Sequence, residues 1–369
     1  MEKRRNLIKS IDYKLLIGII VLCIFGLVVL SSATLSLDGK NAIMRSQRVA
    51  TFLGFGVLLV LMIIDYRHWK YLYKLIYIAS LMLLVATLIF GRGPTPSSEI
   101  RSWISIGGFS FQPSEFVKIA FIISLASYLE EVKEKLNQPL TLFKVLVFAF
   151  LPIGLILMQP DTGTALVYIF ITILMLFIAG IHWKYIVIAF LILLILAPIF
   201  WFTLEDYQKN RFFDFLNPDE NPTGTNYQYL QGRIAIGSGQ LLGKGLYQGT
   251  QNQFNFIPEK QNDFIFPVLA EELGFVGGLF LLGMYLFLLL RLYKVAKESI
   301  DLYGTLLVVG VSAMFLFHIW ENVGMTLGLM PITGIPLPFL SAGGTFQLTN
   351  LTMIGLALSV AAHRKIKYF

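Results

Sequence analysis

Apolar runs of about 20 residues, the length a helix needs to cross the hydrocarbon core of a bilayer, recur along the whole chain. They fall near 13–32, 47–65, 71–90, 114–130, 144–159, 163–181, 185–203, 266–290, 302–323 and 345–362. A soluble domain carries about 25% charged residues. Here only 14% of 369 residues are charged and 56% are hydrophobic. These runs predict an all-α, polytopic membrane protein of about ten transmembrane helices. They form one membrane domain over 1–369, with a large extracellular loop at about 204–265 between helices 7 and 8. The basic N-terminus and the run ending in Ser31-Ser32-Ala33 imitate a signal peptide. That run is longer than the roughly 7–15 residues of a signal's apolar region, so it is expected to stay as the first span. The single cysteine, Cys23, allows no disulfide within the chain.

Loop charge predicts the orientation. Lys3, Arg4, Arg5 and Lys9 precede the first run, and Arg67, His68 and Lys70 follow the second. Lys133 and Lys135, then His182 and Lys184, then Arg291, Lys294 and Lys297 follow the fourth, sixth and eighth. Arg364, Lys365 and Lys367 close the chain. Basic loops stay in the cytoplasm, so both termini are expected there and the odd loops face outward. The net charge of +7 is spread over these loops. Nucleic-acid binding would need a clustered basic face, so none is expected.

The longest polar interval is Asn226–Phe275, rich in Gly, Gln and Asn. It is expected to lie across the mouth of the bundle and carry chemistry there. Its glycines, in IAIGSGQLLGKGLYQGT, permit close backbone approach and could cradle an anion. Three more polar stretches share that face: Arg92–Lys118, Gln159–Thr164 and Gly328–Gly344. The last holds three prolines and four glycines. Irregular backbone at membrane depth must be buried in protein or line a cavity, so this stretch is expected to dip back into the bundle.

Carboxylates near the spans are functional candidates, because burying an unpaired charge is costly. Each has a plainer alternative. Glu115 and Lys118, three residues apart, share one helix face and could be a structural pair. Ser114 after Pro113 looks like a helix N-cap, and so does Asp161 before the sixth span. Glu271 and Glu272 are expected to bond neighbouring helices. His318 reads as a packed polar residue, and the four scattered histidines make no zinc site. Asp263 sits at the water boundary before Phe264-Ile265-Phe266. It is either a general base tuned by partial desolvation or a cap for the eighth span. Arg48, Arg101, Arg211, Arg233 and Lys244 lie on the outward side, against the positive-inside trend. They suit an anionic headgroup or pyrophosphate, or they snorkel to the interface.

The stretches RSWISIGGFSFQPSEFVK, QPDTGTA, DYQKNR, QGRIAIGSGQLLGKGLYQGTQNQFNFIPE, NDFIFPVLAEELG and GLMPITGIPLPFLSAGG resemble the SEDS family (shape, elongation, division and sporulation). The resemblance covers nearly the whole chain. The wording GKGLYQGTQ and FIPE resembles the elongation branch rather than the division branch. Departures are small: Ser102 separates Arg101 from Trp103, Glu321 precedes Asn322, and Ser341-Ala342 stands where Ser-Tyr is common.

The resemblance implies a peptidoglycan glycosyltransferase of the bacterial cytoplasmic membrane, acting on the outer face. It implies lipid II as substrate, membrane lipid around it and a class B penicillin-binding protein as partner. In such a reaction Asp263 is the expected base of one inverting displacement. Arg48, Arg101, Lys118 and Arg211 are the expected partners of the departing pyrophosphate, with Glu115 positioning Lys118 and Asp161 also in the substrate site. A divalent cation, Mg or Mn, is a candidate helper, and no organic cofactor is called for. The second reading is a flippase for a lipid-linked precursor. It would place charges along a passage reaching both faces, whereas here they gather at one rim.

Overall fold

The computed structural model describes residues 11–93, 101–106, 109–203, 209, 213, 215–216 and 226–364. Among them, ten helices of 17 residues or more coincide with the ten apolar runs. In chain order the helices are α1 (Tyr13–Ala33), α2 (Lys40–Ile63), the short α3 (Arg67–Tyr71), α4 (Tyr73–Phe90), α5 (Pro113–Val132), α6 (Pro139–Leu157), α7 (Thr162–Ile178) and α8 (Trp183–Thr203). Two shorter helices follow, α9 (Tyr227–Gly239) and α10 (Thr250–Gln253), and then α11 (Ile265–Lys297), α12 (Leu302–Thr326) and α13 (Gly344–Ala362). Seven of these helices are long and apolar enough to cross a membrane on length and composition alone. Between α4 and α5 a small hairpin pairs β1 (Ile104–Ile106) antiparallel with β2 (Phe109–Phe111), Ile104 opposite Phe111.

The connections segregate to two ends. At one end the basic loops are tied by ion pairs: Arg291 to Asp12 at 2.5 Å, Lys70 to Glu130 at 2.6 Å, and Arg67 to Asp301 at 3.2 Å. The other end, the loop end, gathers the polar stretches singled out in the sequence. α12 and α13 are buried almost all round, whereas α4 is largely exposed, so the bundle is built around the C-terminal pair. Small residues allow that packing. Gly54 sits against Leu351, and Gly355 against the backbone of Leu58, so α2 and α13 approach closely. Close helix contact through small residues is the usual way spans associate where lipid removes the hydrophobic drive.

The segment between α12 and α13 does dip back into the bundle. Leu337, Phe339 and Leu340 are fully buried. The Phe339 carbonyl passes 2.1 Å from where a Cβ on Gly26 would stand. Phe339 itself has φ of 66°, a left-handed conformation that costs a bulky residue about 1–3 kcal/mol. Its surroundings over-determine it. Tyr285 donates to the Pro338 carbonyl at 2.6 Å, and Asn322 donates to the Ile335 carbonyl at 2.7 Å.

α11 is longer than the roughly 20 residues a span needs. Its 33 residues break at Gly274, where φ is 66° and ψ is −164°. The portion after Gly274 runs antiparallel to α1, with Phe280 stacked edge-on against Phe25 at 5.3 Å and Phe287 against Gly18. The portion before Gly274 packs on α9, a helix within the stretch expected to be loop. α9 presents Gly232, Ala235 and Gly239 on one face at helical spacing, and all three are buried. Gly239 comes so close that an added Cβ would lie 2.0 Å from the Ala270 carbonyl.

One cap differs from expectation. α5 begins at Pro113, with Gln112 at the N-cap, and Ser114 is already inside the helix. Proline suits the first helical position because its missing N–H would be unpaired there anyway. The Ser114 carbonyl accepts the Tyr168 hydroxyl at 2.7 Å.

Candidate active site

Five segments meet at the loop end around a cavity of about 490 Å³. The first turns of α2 supply Ala42 and Ser46, the hairpin supplies Trp103, and the start of α5 supplies Gln112 and Glu115. The approach to α11 supplies Asn262 and Asp263. The re-entrant segment and the start of α13 supply Gly334, Pro336 and Phe346.

Asp263 is half-buried on this wall. It does not cap α11: the N-cap position is Phe264, and no side chain makes the capping bond. Phe264 and Ile265 are fully buried and anchor the chain immediately behind it. Asn322 donates to its backbone carbonyl at 2.8 Å, and Ser341 donates to that of Asn262 at 2.6 Å. Gly334 leaves room for the carboxylate, since a Cβ there would stand 3.3 Å from Asp263 Oδ2. The backbone of Asp263 is therefore fixed by α12 and by the re-entrant segment together.

Glu115 is the second carboxylate of the cavity. Its Oε1 accepts from Lys118 Nζ at 2.8 Å, and both side chains are buried. Its Oε2 has no hydrogen-bond partner among the described residues. A buried ion pair is retained only with good geometry, because desolvating two charges costs several kcal/mol. That oxygen is thus a buried, unsatisfied acceptor at a residue that lines the cavity.

The cations expected around Asp263 are not gathered there. No Lys, Arg or His lines the cavity among the described residues. Arg48 is exposed and donates to the Met44 carbonyl of its own helix at 3.2 Å. It lies two residues past Ser46, about 200° round the helix, so it faces away. Arg101 is exposed, two residues before the cavity residue Trp103. Lys118 is enclosed behind Glu115 rather than open to a ligand. Arg211 lies outside the described residues. Asp161 caps α7, accepting from the Thr164 N–H at 3.0 Å, and its other oxygen takes Gln112 Nε2 at 2.9 Å. It supports the cavity through Gln112 and does not line it.

Glu271 and Glu272 take the plainer of their two roles. Glu271 accepts from Lys244 Nζ at 2.7 Å and from the N–H groups of Gln251 and Asn252 at 2.9 and 3.1 Å. Glu272 accepts from Ser32 Oγ at 2.6 Å and from the Tyr247 N–H at 3.1 Å. The glycine-rich loop does cradle anions, and they are the protein's own carboxylates. Gly243 and Gly245, with φ of 79° and 103°, make the turn that brings those N–H groups round. The cradle fastens the loop to α1 and α11, which fixes the strap bearing Asp263.

Lys260 completes the fastening. Its buried ammonium donates to Ser36 Oγ at 2.7 Å and to the Asn252 carbonyl. Burial pushes its pKa down from 10.5 to about 8, against the pull of Glu272 and Glu271. Below that value folded and unfolded chains both carry the charge, and the folded state bears the desolvation. Between about 8 and 10.5 only the unfolded chain holds the proton, so folding gains stability as pH rises. The melting temperature relative to a Lys260→Met variant is therefore expected to climb from about pH 8 to about pH 10. A flat difference would place the ammonium in water.

A family model described as FtsW/RodA/SpoVE cell cycle protein matches residues 13–366. The chain belongs to that family. It is 33% identical over 359 residues to the peptidoglycan glycosyltransferase MrdB of Escherichia coli, covering 96% of this chain and 95% of that one. It is 37% identical over 363 residues to stage V sporulation protein E of Bacillus subtilis, covering 96% and 98%. Among solved structures it resembles a chain from a peptidoglycan synthase complex, described as coordinating polymerization and crosslinking, at 30% identity, TM-score 0.81 and coverage of 95% and 97%. It also resembles the rod shape determining protein RodA of Thermus thermophilus at 29% identity, TM-score 0.72 and coverage of 97% and 98%. The FtsW/RodA/SpoVE fold thus accounts for the whole bundle, and the chain is a multi-pass membrane protein.

The sequence singles out Asp263 and Glu115, which the structure places on the cavity wall, and Lys118, which it places behind Glu115. The sequence does not name Gln112 or Asn262 as parts of the site, though both lie in its polar stretches, and it leaves Asn322, beside Glu321, open between a functional and a packing role. Their convergence from three separate elements is what local sequence does not mark. α9 did leave a trace: the spacing of Gly232, Ala235 and Gly239 is a helix-packing stripe.

Proposed function

We propose that this chain is a peptidoglycan glycosyltransferase that polymerises lipid II during cell elongation, with Asp263 as its general base. The observation that carries the proposal is the Asp263 carboxylate on the wall of a cavity at the loop end, held by α12 and the re-entrant segment. The acceptor's 4-hydroxyl attacks C1 of the donor sugar and gives its proton to Asp263. The bond from C1 to the phosphate oxygen breaks on the opposite face, and undecaprenyl pyrophosphate leaves with the electron pair. The α-linkage becomes β in one displacement. Asp263 then returns the proton to water.

Two carboxylates without a basic side chain make a poor seat for pyrophosphate. They make a more reasonable one for a divalent cation, Mg or Mn, which Asp263 and Glu115 would hold. Such a cation would supply neutralising charge for the leaving group. The basic opposite end supports placing both termini in the cytoplasm and this cavity on the outer face. The relative drawn from a peptidoglycan synthase complex supports a class B penicillin-binding protein as partner.

The test is incubation of the purified chain with labelled lipid II in detergent, with and without Mg. Glycan strands with β-linkages are expected. In a parallel assay with the chain reconstituted in lipid vesicles, transfer of headgroups across the bilayer without any polymer would instead favour a flippase.

A further inference from the structure

The Glu115–Lys118 pair is closed by a third side chain that the displacement itself does not use. His318, on α12, is fully buried. Its Nε2 lies 3.3 Å from Lys118 Nζ, and its Nδ1 lies 3.0 Å from the Pro336 carbonyl oxygen. Those two contacts fix its protonation. A lysine ammonium has donors only, so Nε2 must accept. A carbonyl accepts only, so Nδ1 must carry the hydrogen and donate. The imidazole is then neutral and in one tautomer.

We propose that His318 is a positioning residue for the reaction, acting through Lys118 on Glu115. This rests on the reading of the Asp263 cavity as the site of transfer. Lys118 uses one hydrogen on Glu115 Oε1 at 2.8 Å and another on His318. Its remaining side faces the ring of Phe346, 5.8 Å from Nζ. The ammonium is enclosed on every side that the contacts define, and it holds Glu115 with Oε2 left over. The Nδ1 bond ties the same assembly to Pro336, a wall residue of the cavity. His318 therefore holds Lys118, and through it one wall carboxylate, against α12, while the Pro336 bond fixes the tautomer that lets Nε2 accept. Residues behind the primary ligands of a site commonly change its output about 10–100-fold when removed.

Two amide substitutions separate the two bonds. His318→Gln keeps an oxygen where Nε2 stood, so it still accepts from Lys118, but it drops the Pro336 bond. His318→Asn keeps a donor near Nδ1 for Pro336 and leaves Lys118 without its acceptor. With labelled lipid II, His318→Gln is expected to keep kcat within about 3-fold of the parent, while His318→Asn lowers kcat about 10–100-fold with little change in KM. Equal rates in both variants, or losses that simply follow the melting temperature, would overturn the proposal. Independently of turnover, nitrogen NMR of histidine-labelled protein should contain, beside the signals of His68 and His363, whose Nδ1 atoms also face carbonyls, a neutral ring of His318 with its hydrogen on Nδ1. That signal should vanish in His318→Gln and persist in Asp263→Asn. A hydrogen found on Nε2 would overturn the assignment even if the variants lost activity. If instead no preparation polymerises lipid II while the NMR signal is as described, the function fails and the His318–Lys118 bond stands.

Discussion

Asp263→Asn is expected to lower the rate of strand synthesis from lipid II about 10²–10⁴-fold, the usual contribution of a positioned general base. The change is close to isosteric, so little else should move. The backbone carbonyl of residue 263 remains bonded to Asn322, and the Asn262 carbonyl to Ser341. Gly334 still leaves room for the side chain. What is lost is the ability to take a proton from the attacking hydroxyl. The measurement is single-turnover polymerisation alongside the melting temperature. A variant that folds normally and polymerises at the parent rate would remove Asp263 from the mechanism. One that fails only by unfolding would assign it to structure.

Glu271→Ala is expected to destabilise the chain by about 3–5 kcal/mol, the range seen when one partner of a buried charge pair is removed. Glu271 is fully buried and accepts from Lys244, Thr250 and two backbone N–H groups. Alanine strands all of those donors at once. The damage should concentrate in residues 226–264, because the cradle is what fastens that strap to the bundle. Limited proteolysis should cut there first, before the spans unfold. Lys244→Ala should cost less, since Glu271 keeps its bonds from Thr250 and from the Gln251 and Asn252 N–H groups. Equal effects from the two substitutions would mean that the salt bridge, and not the whole cradle, holds the loop.

The architecture was legible because each span is a local property of the chain. A helix in lipid satisfies its own backbone hydrogen bonds, so a run of apolar residues long enough to cross is sufficient to specify one. The re-entrant segment was legible for the converse reason: Pro331, Pro336 and Pro338 among glycines cannot continue a helix. Asp263 stood out by its place before an apolar run. Arg48 faces away from the cavity and Lys118 is enclosed by its own partners, because a place near the loop end says nothing about the direction a side chain takes. Arg48 and Ser46 are two residues apart and point to different surroundings.

The sequence by itself determined the spans, their order, the family and the acid at the head of α11, all of which depend on residues near one another in the chain. Only the tertiary structure decided which groups share the cavity. It joined Asp263 to Glu115, matched the glycine-rich loop to Glu271 and Glu272, and closed Lys118 with His318, 200 residues away. Contacts of that separation follow from how helices pack, and a packing arrangement depends on every interface at once.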